Sequence, residues 1–362
     1  MLLAGQQDVG HKDVATGCGV FSLRSLKRAP SAFRVNIDVG EGIGMKVVSV
    51  IYPPEEIREH LVESYKGCEF HFCKGIKNAG SLIKDMDVLI TYGEDLNNQI
   101  ISQASCLKWI SVMSAGVEKL PFEAIREKNI MVTNARGIHA IPMAEYVIGM
   151  MLSYVKQFPT MAINKNNCKW DKRLSFGELN EKNLLVLGTG AIGSEIARLA
   201  KAFRMNTIGM NRGGSVIDSA FDDCITMNEM EEVLPNADFI VSVLPSTAET
   251  RGFLKYKHFE IMKNEAMFMN VGRGDLLSEE TIREVLNNQL IGHMVLDVFP
   301  SEPLDAKSEL WSYPNLTITP HISSISKKYL PRAFEIFDVN FKRFINHKNG
   351  DFVNKLDLRK GY

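Results

Sequence analysis

Three stretches in the second half of the chain carry side chains suited to anion binding and acid–base chemistry. Arg273 stands in Asn270-Val271-Gly272-Arg273-Gly274, directly after an apolar run. A glycine on each side suggests a shaped loop. A guanidinium there can grip a carboxylate through two parallel hydrogen bonds and stays charged at every working pH. Glu302 follows in Leu296-Asp297-Val298-Phe299-Pro300-Ser301-Glu302-Pro303-Leu304, and His321 closes Pro314-Asn315-Leu316-Thr317-Ile318-Thr319-Pro320-His321. A histidine held against a carboxylate is the expected acid–base unit, because the anion favours imidazolium and orients the ring. Taken singly, His321 reads as an ordinary loop histidine and Arg273 as a surface arginine. Together, each just past a strand-like run of one series, they predict a shared site, since open α/β sheets bind ligands at the carboxyl ends of their strands.

The sharpest local signal lies upstream. Leu184-Leu185-Val186-Leu187 reads as a buried strand and runs into Gly188-Thr189-Gly190-Ala191-Ile192-Gly193, with a helix predicted over Ser194–Ala202. In such a turn Gly188 permits the bend and Gly190 lets backbone approach a pyrophosphate. Gly193 lets helix and strand pack closely, and the helix N-terminus stabilises phosphate charge. A dinucleotide cofactor is therefore expected. Beyond the next predicted strand the chain reads Asn211-Arg212-Gly213-Gly214, where an NAD enzyme would place a carboxylate for the ribose hydroxyls. Asn211 removes the repulsion of a 2′-phosphate and Arg212 can pair with it, so NADP(H) is favoured over NAD(H).

The elements that must position these groups form two alternating series. Strands are predicted at Val47–Ile51, Cys68–Phe72, Val88–Thr91, Trp109–Val112 and Ile130–Thr133. The second set is Leu184–Leu187, Asn206–Met210, Phe239–Val243, Ala266–Asn270, His293–Val298 and Thr317–Thr319. Helices are predicted near Pro54–Lys66, Ala79–Lys84, Phe122–Lys128, Ile141–Gln157 and Ser326–Asn346. Strand–helix alternation with short connections argues for parallel sheets covered on both faces. With 362 residues, 45% hydrophobic and 23% charged, the chain is long enough for about two domains and too apolar for wholesale disorder. A formal net charge of -1 supplies no basic field for nucleic acid or an anionic bilayer, and no apolar run is long enough to span a membrane. Six scattered cysteines without a C-x-x-C spacing read as reduced thiols of a cytoplasmic protein. No ligand cluster calls for a metal. Residues 1–44 are glycine-rich and aperiodic, and are expected to be a disordered extension.

From Met45 to about Asn346 the chain resembles the D-isomer-specific 2-hydroxyacid dehydrogenase family. The matching stretches are Gly188–Gly193, Leu244-Pro245 with Thr250, Asn270–Gly274, Leu296–Leu304 and Leu310–His321, together with Asn134-Ala135-Arg136-Gly137 and Ala144-Glu145. The resemblance implies a Rossmann dinucleotide-binding domain, residues 139–319, inserted into a flavodoxin-like substrate domain made of 45–138 and 320–362. It implies catalysis by Arg273, Glu302 and His321. The substrate carboxylate would meet the backbone amides of Ser114-Ala115-Gly116-Val117 as well as Arg273. Cofactor contacts would fall on Gly188 to Gly193, Asn211, Arg212, Leu244, Pro245, Thr250, Val271, Gly272 and Asp297, with Pro245 and Asp297 nearest the nicotinamide. Reversible reduction of a 2-keto acid to a D-2-hydroxy acid is the implied activity, with glyoxylate or hydroxypyruvate as candidate substrates and a homodimer as the usual assembly. The alternative is a nicotinamide-sensing, corepressor-like binding protein of the same fold. Substrate side-chain specificity would reside around Tyr92–Glu94 and Ser114–Leu120. Two positions depart from the common pattern: Asn211-Arg212 replaces an acidic residue, and Glu118 stands where Asp or Asn is frequent.

Overall fold

The computed structural model describes residues 44–216, 218–346 and 352–359. Apart from Gly44, the expected extension lies outside them. The first series forms β1 (Met45–Ser49), β2 (Cys68–Phe72), β3 (Val88–Thr91), β4 (Trp109–Val112) and β5 (Met131–Asn134). Central strands such as β3 and β4 are buried along their whole length, which is why their sequences are mostly apolar instead of alternating. All pairings are parallel, in the order β2-β1-β3-β4-β5. This is the flavodoxin-like order, and it reverses between β1 and β3.

The second series forms β6 (Asn183–Leu187), β7 (Asn206–Met210), β8 (Asp223–Ile225), β9 (Phe239–Ser242), β10 (Met267–Asn270), β11 (His293–Leu296) and β12 (Leu316–Ile318). Its order is β12-β11-β10-β9-β6-β7-β8, again with parallel pairings throughout. The order reverses between β6 and β9, as in a Rossmann sheet. The fingerprint loop leaves the end of β6, and the loop at Leu244-Pro245 follows β9. The switch point therefore brings these two loops side by side.

Helices decide how the two bodies connect. Helix Ala140–Val155 buries Met143, Ala144, Val147, Ile148 and Met151 against Leu184, Val186, Ile196 and Ala197, so it belongs to the second core by packing. Helix Tyr329–Ile345 returns to the first sheet. It buries Phe334, Phe337, Phe341 and Ile345 with Trp109 and Tyr65, and Phe337 stacks on Trp109 at 5.3 Å between ring centroids. Full burial of one such ring contributes about 1.5–3 kcal/mol. A bridge between Thr133 and Lys355 then adds the tail to the edge of β5.

Several elements escaped the sequence reading. Strand β8 is only three residues long, at a sheet edge, and carries Asp223, too short a run to show a period. Helix Glu279–Asn287 is amphipathic, capped by Ser278 and buried through Ile282, Val285 and Leu286. Helix Phe158–Asn166 buries none of its residues, so no core-facing stripe marks it. Helices Asn98–Gln103 and Tyr256–Glu260 were also missed. Strand β1 begins at Met45, two residues earlier than expected.

Candidate active site

The loop that turns β6 into helix Ala191–Ala202 is shaped by its glycines. Gly188 has φ 110°, a backbone that side chains rarely adopt. A Cβ on Gly193 would lie 1.9 Å from the Gly188 carbonyl oxygen, so only glycine lets the helix sit this close to the strand. A Cβ on Gly190 would meet nothing within 4 Å: that glycine faces open space. The helix amides of Ala191 and Ile192 donate to no acceptor among the described residues. Open space in front of unpaired amides at a helix N-terminus fits a pyrophosphate.

At the far end of this groove, Asn211 shapes a turn. Its carboxamide donates to Thr189 Oγ1 (3.2 Å) and to the Ser215 carbonyl (3.0 Å), and accepts from the Gly213 amide. Arg212 is 79% exposed and lies 3.6 Å from Glu249. Its guanidinium is open to solvent, whereas the Asn211 carboxamide is committed to the turn. On the other wall, Thr250 is buried and donates to the Pro245 carbonyl at 2.6 Å, which pins the loop carrying Leu244 and Pro245.

Arg273 is held from both sides by Asn270, whose carboxamide accepts from the Gly272 amide and donates to the Arg273 carbonyl (2.9 Å). The flanking glycines allow close approach. A Cβ on Gly272 would lie 2.6 Å from the Leu244 carbonyl oxygen, and one on Gly274 would lie 2.0 Å from that of Phe299. The arginine loop is therefore wedged between the Leu244 loop and the Phe299–Glu302 loop. Among the described residues the Arg273 side chain donates only to the Gly272 carbonyl, at 2.9 Å, so the rest of its donor fork is available to a ligand.

His321 and Glu302 meet: Nδ1 lies 2.8 Å from the carboxylate. The other Glu302 oxygen accepts from the Phe299 amide at 3.0 Å, which fixes the carboxylate's direction. His321 has φ 55°, a left-handed conformation that costs of order 1–3 kcal/mol and persists only where the surroundings hold it. Asp297 imposes it. The Asp297 carbonyl accepts from the His321 amide at 2.8 Å. Its buried carboxylate accepts from Thr319 Oγ1 (2.6 Å) and from the amides of Ile322 (2.9 Å) and Ser323 (3.0 Å). Asp297, expected beside the nicotinamide, also holds the loop that presents His321.

Opposite these groups, in the first body, the Ser114 hydroxyl donates to the Gly116 carbonyl (2.8 Å), and Asn134 donates to the Ala115 carbonyl (2.7 Å). The amides of Ala115, Gly116 and Val117 donate to no acceptor among the described residues, an arrangement suited to an anion. A cavity of about 290 Å³ is lined by Ser114 and Gly116 from this loop, Leu244 and Pro245 from the cofactor side, and Arg273 and His321. A second cavity of about 360 Å³ shares Ser114, Gly116, Arg273 and His321, and continues past Tyr92 and Glu94. The structure thus brings the expected substrate-side residues to one cleft.

Three neighbours went unread in the sequence. Asn134, which the sequence marks only as part of a motif, anchors the anion loop. Tyr146 bonds to Thr319 Oγ1 at 2.7 Å, extending the Asp297 network, and burial pushes its hydroxyl up to about 12. His139 also lines the 290 Å³ cavity. Its Nδ1 has no partner among the described residues, and burial holds its imidazole below the usual histidine range, against the Ser324 backbone bond and with Arg273 adding to the effect. Tyr146 and His139 belong to the predicted helix and its entry turn, where local pattern cannot separate cavity wall from core.

Comparison with known proteins places the chain among relatives of one family. Residues 148–323 match the model described as D-isomer specific 2-hydroxyacid dehydrogenase, NAD binding domain. The chain is 34% identical over 267 residues to D-3-phosphoglycerate dehydrogenase of Methanocaldococcus jannaschii, covering 73% of this chain and 50% of that protein. It is 27% identical over 288 residues to a probable 2-ketogluconate reductase of Dictyostelium discoideum, covering 76% and 85%. The crystal structure of a D-isomer specific 2-hydroxyacid dehydrogenase family protein from Aeromonas salmonicida superposes with a TM-score of 0.75 at 32% identity, covering 87% of this chain and 99% of that one. The chain spans about half the length of the curated phosphoglycerate dehydrogenases it matches.

Proposed function

The chain belongs to the D-isomer specific 2-hydroxyacid dehydrogenase family, and on that premise we propose that it reduces a 2-keto acid to a D-2-hydroxy acid with a nicotinamide cofactor. The observation that carries this reading is the shared cleft, in which Arg273, His321 and the Ser114–Val117 loop face the cofactor-side residues Leu244 and Pro245. The substrate carboxylate would lie between the Arg273 fork and the amides of Ala115 to Val117, fixing the keto carbon. Such positioning contributes several kcal/mol, up to about 7–11 in ideal cases. His321, turned by Glu302 through Nδ1, presents Nε2 as the proton donor to the carbonyl oxygen. A positioned acid of this kind is typically worth about 10²–10⁴-fold. When bound, the reduced nicotinamide supplies the hydride. Gly188 to Gly193 would hold its pyrophosphate, and Leu244, Pro245, Val271 and Gly272 would flank the ring. Asp297 acts by holding the His321 loop.

The cofactor reading is NADP(H) over NAD(H), supported by Arg212 at the end of the groove. Glyoxylate and hydroxypyruvate head the substrate panel, while the relatives named for phosphoglycerate and 2-ketogluconate broaden it. The deciding assay follows loss of reduced-cofactor absorbance with a panel of 2-keto acids and both reduced cofactors. Turnover of none of them would refute the reading.

A homodimer completes it. Helix Phe158–Asn166 buries no residue, Trp170 is 89% exposed, and Met161, Trp170 and Phe176 line an open recess of about 700 Å³. Such an apolar surface calls for a cover, here a second copy. Among the described residues no helix is long and apolar enough to cross a membrane, and a cytoplasmic setting is part of the same proposal.

A further inference from the structure

The two cavities that share Arg273 and His321 divide the work of the cleft. The 290 Å³ cavity carries the cofactor-side residues Ile192, Val243, Leu244 and Pro245, so the reacting carbon must lie there. The 360 Å³ cavity leads the other way, past Tyr92, Glu94, Glu118 and Lys119, and receives whatever the acid carries beyond its keto carbon. At ~30 Å³ per water it holds roughly a dozen waters, far more than a two-carbon acid displaces.

Its wall is polar and its charge is one-sided. Glu94 pairs with Lys119 at 3.0 Å, tying the loop after β3 to the loop after β4. Thr91 supports the first of these loops by donating to Asp95 (2.8 Å) and accepting from the Gly93 amide. Glu118 makes no ion pair or hydrogen bond among the described residues. Its Oε2 lies 2.6 Å from where a Cβ on Gly116 would sit, so the carboxylate folds over the anion loop. Arg273 and His321 are committed to the substrate's carboxylate and carbonyl, and Lys119 pairs with Glu94 at the exposed rim. The remaining uncompensated charge is the carboxylate of Glu118.

We propose that the acid turned over at this site carries an extended, uncharged, hydroxylated chain beyond its keto carbon, and that Glu118 and the Glu94–Lys119 pair reject a second anionic group there. This rests on the reading of Arg273 and His321 given above. Beyond Arg273 and His321, a phosphate in this cavity would face two carboxylates, Glu94 and Glu118, against the single ammonium of Lys119. Hydroxyls would find acceptors in Glu94 and Glu118 and a phenol in Tyr92. A purely aliphatic chain would make none of these hydrogen bonds.

The test compares kcat/KM for hydroxypyruvate, 2-ketogluconate, 2-ketoisocaproate and phosphohydroxypyruvate in the wild-type protein, Glu118→Gln and Glu94→Gln. The hydroxylated acids should lead. Phosphohydroxypyruvate should trail hydroxypyruvate by at least about tenfold at low ionic strength, narrowing as salt screens the carboxylate. Either glutamine variant should raise the ratio of phosphorylated to unphosphorylated substrate about tenfold, Glu94→Gln by releasing Lys119. Wild-type preference for phosphohydroxypyruvate or 2-ketoisocaproate, or ratios that neither variant moves, would overturn the inference. If no 2-keto acid is reduced, the functional reading falls by itself. Calorimetric binding of D-glycerate against D-3-phosphoglycerate then still decides this one: weaker binding of the phosphorylated acid, relieved in Glu118→Gln, supports it, and equal binding sinks it.

Discussion

At the residue scale the site is a set of donors aimed by their neighbours. His321 is turned by one Glu302 oxygen while the other is tied to the Phe299 amide, so the pair is a fixed unit. His321→Gln is expected to lower kcat by about 10²–10⁴-fold while leaving NADPH affinity, read by cofactor fluorescence, near the wild-type value. Unchanged turnover would remove His321 from the mechanism. Arg273→Lys keeps the charge and loses the fork. KM for the keto acid should rise at least about tenfold, because a point charge cannot make two parallel bonds to a carboxylate. Arg212 is weighed the same way. Its only ion-pair partner among the described residues is Glu249 at 3.6 Å, both side chains being largely exposed, and such a pair is worth little. A 2′-phosphate should displace it easily, so Arg212→Ala should weaken NADPH binding and leave NADH binding almost unmoved. Equal losses would mean that the guanidinium does not read the phosphate.

At the element scale, the turns after strands set the geometry, and the glycines in them have separable duties. Gly190 and Gly193 stand three residues apart, at the cap and in the first turn of one helix, yet a Cβ at the first meets open space and at the second meets backbone at 1.9 Å. Gly190→Ala should therefore melt near the wild-type temperature and bind the cofactor more weakly. Gly193→Ala should be destabilised by about 1–3 kcal/mol or more, because strand and helix must part. Thermal unfolding and cofactor titration on both variants separate these outcomes, and equal melting temperatures would contradict the packing account. This contrast was legible in the sequence, since the spacing of Gly188, Gly190 and Gly193 already assigned approach to one and packing to the other. What could not be read locally was the wedge of the Arg273 loop against Phe299, a contact between the ends of β10 and β11.

At the scale of the whole molecule, two bodies are joined by crossings after β5 and before helix Tyr329–Ile345. Their cores also set a pH dependence. Burial holds His139, His258 and His293 below the ordinary histidine range, more than offsetting the neighbouring bonds and charges that oppose it at His139 and His258. Above about pH 6.5 both folded and unfolded states keep these rings neutral, so they contribute no slope. As pH falls through that value the unfolded chain takes up protons that the folded one refuses, and stability drops. His293 bonds through Nε2 to Thr317 at 2.8 Å and stacks on Tyr154. His293→Gln, measured by thermal unfolding across this range, should show a shallower decline than the wild-type protein. A slope unchanged by the substitution would place the proton uptake elsewhere.

Read alone, the sequence determined the parallel α/β series and the glycine turn, and it pointed to Arg273, Glu302 and His321 as candidates for one site. Each of these is written in a few neighbouring residues: an apolar run, a glycine spacing, a polar group just past a strand. Tertiary structure decided which loops face one another. It brought Ser114–Val117 across to Arg273, gave the Asp297 carboxylate to the His321 loop, and set Glu94 against Lys119 beside an unpaired Glu118. Those contacts join residues far apart in the chain, and local periodicity carries no record of them. They follow from strand order and close packing, which exist only once the two sheets have formed.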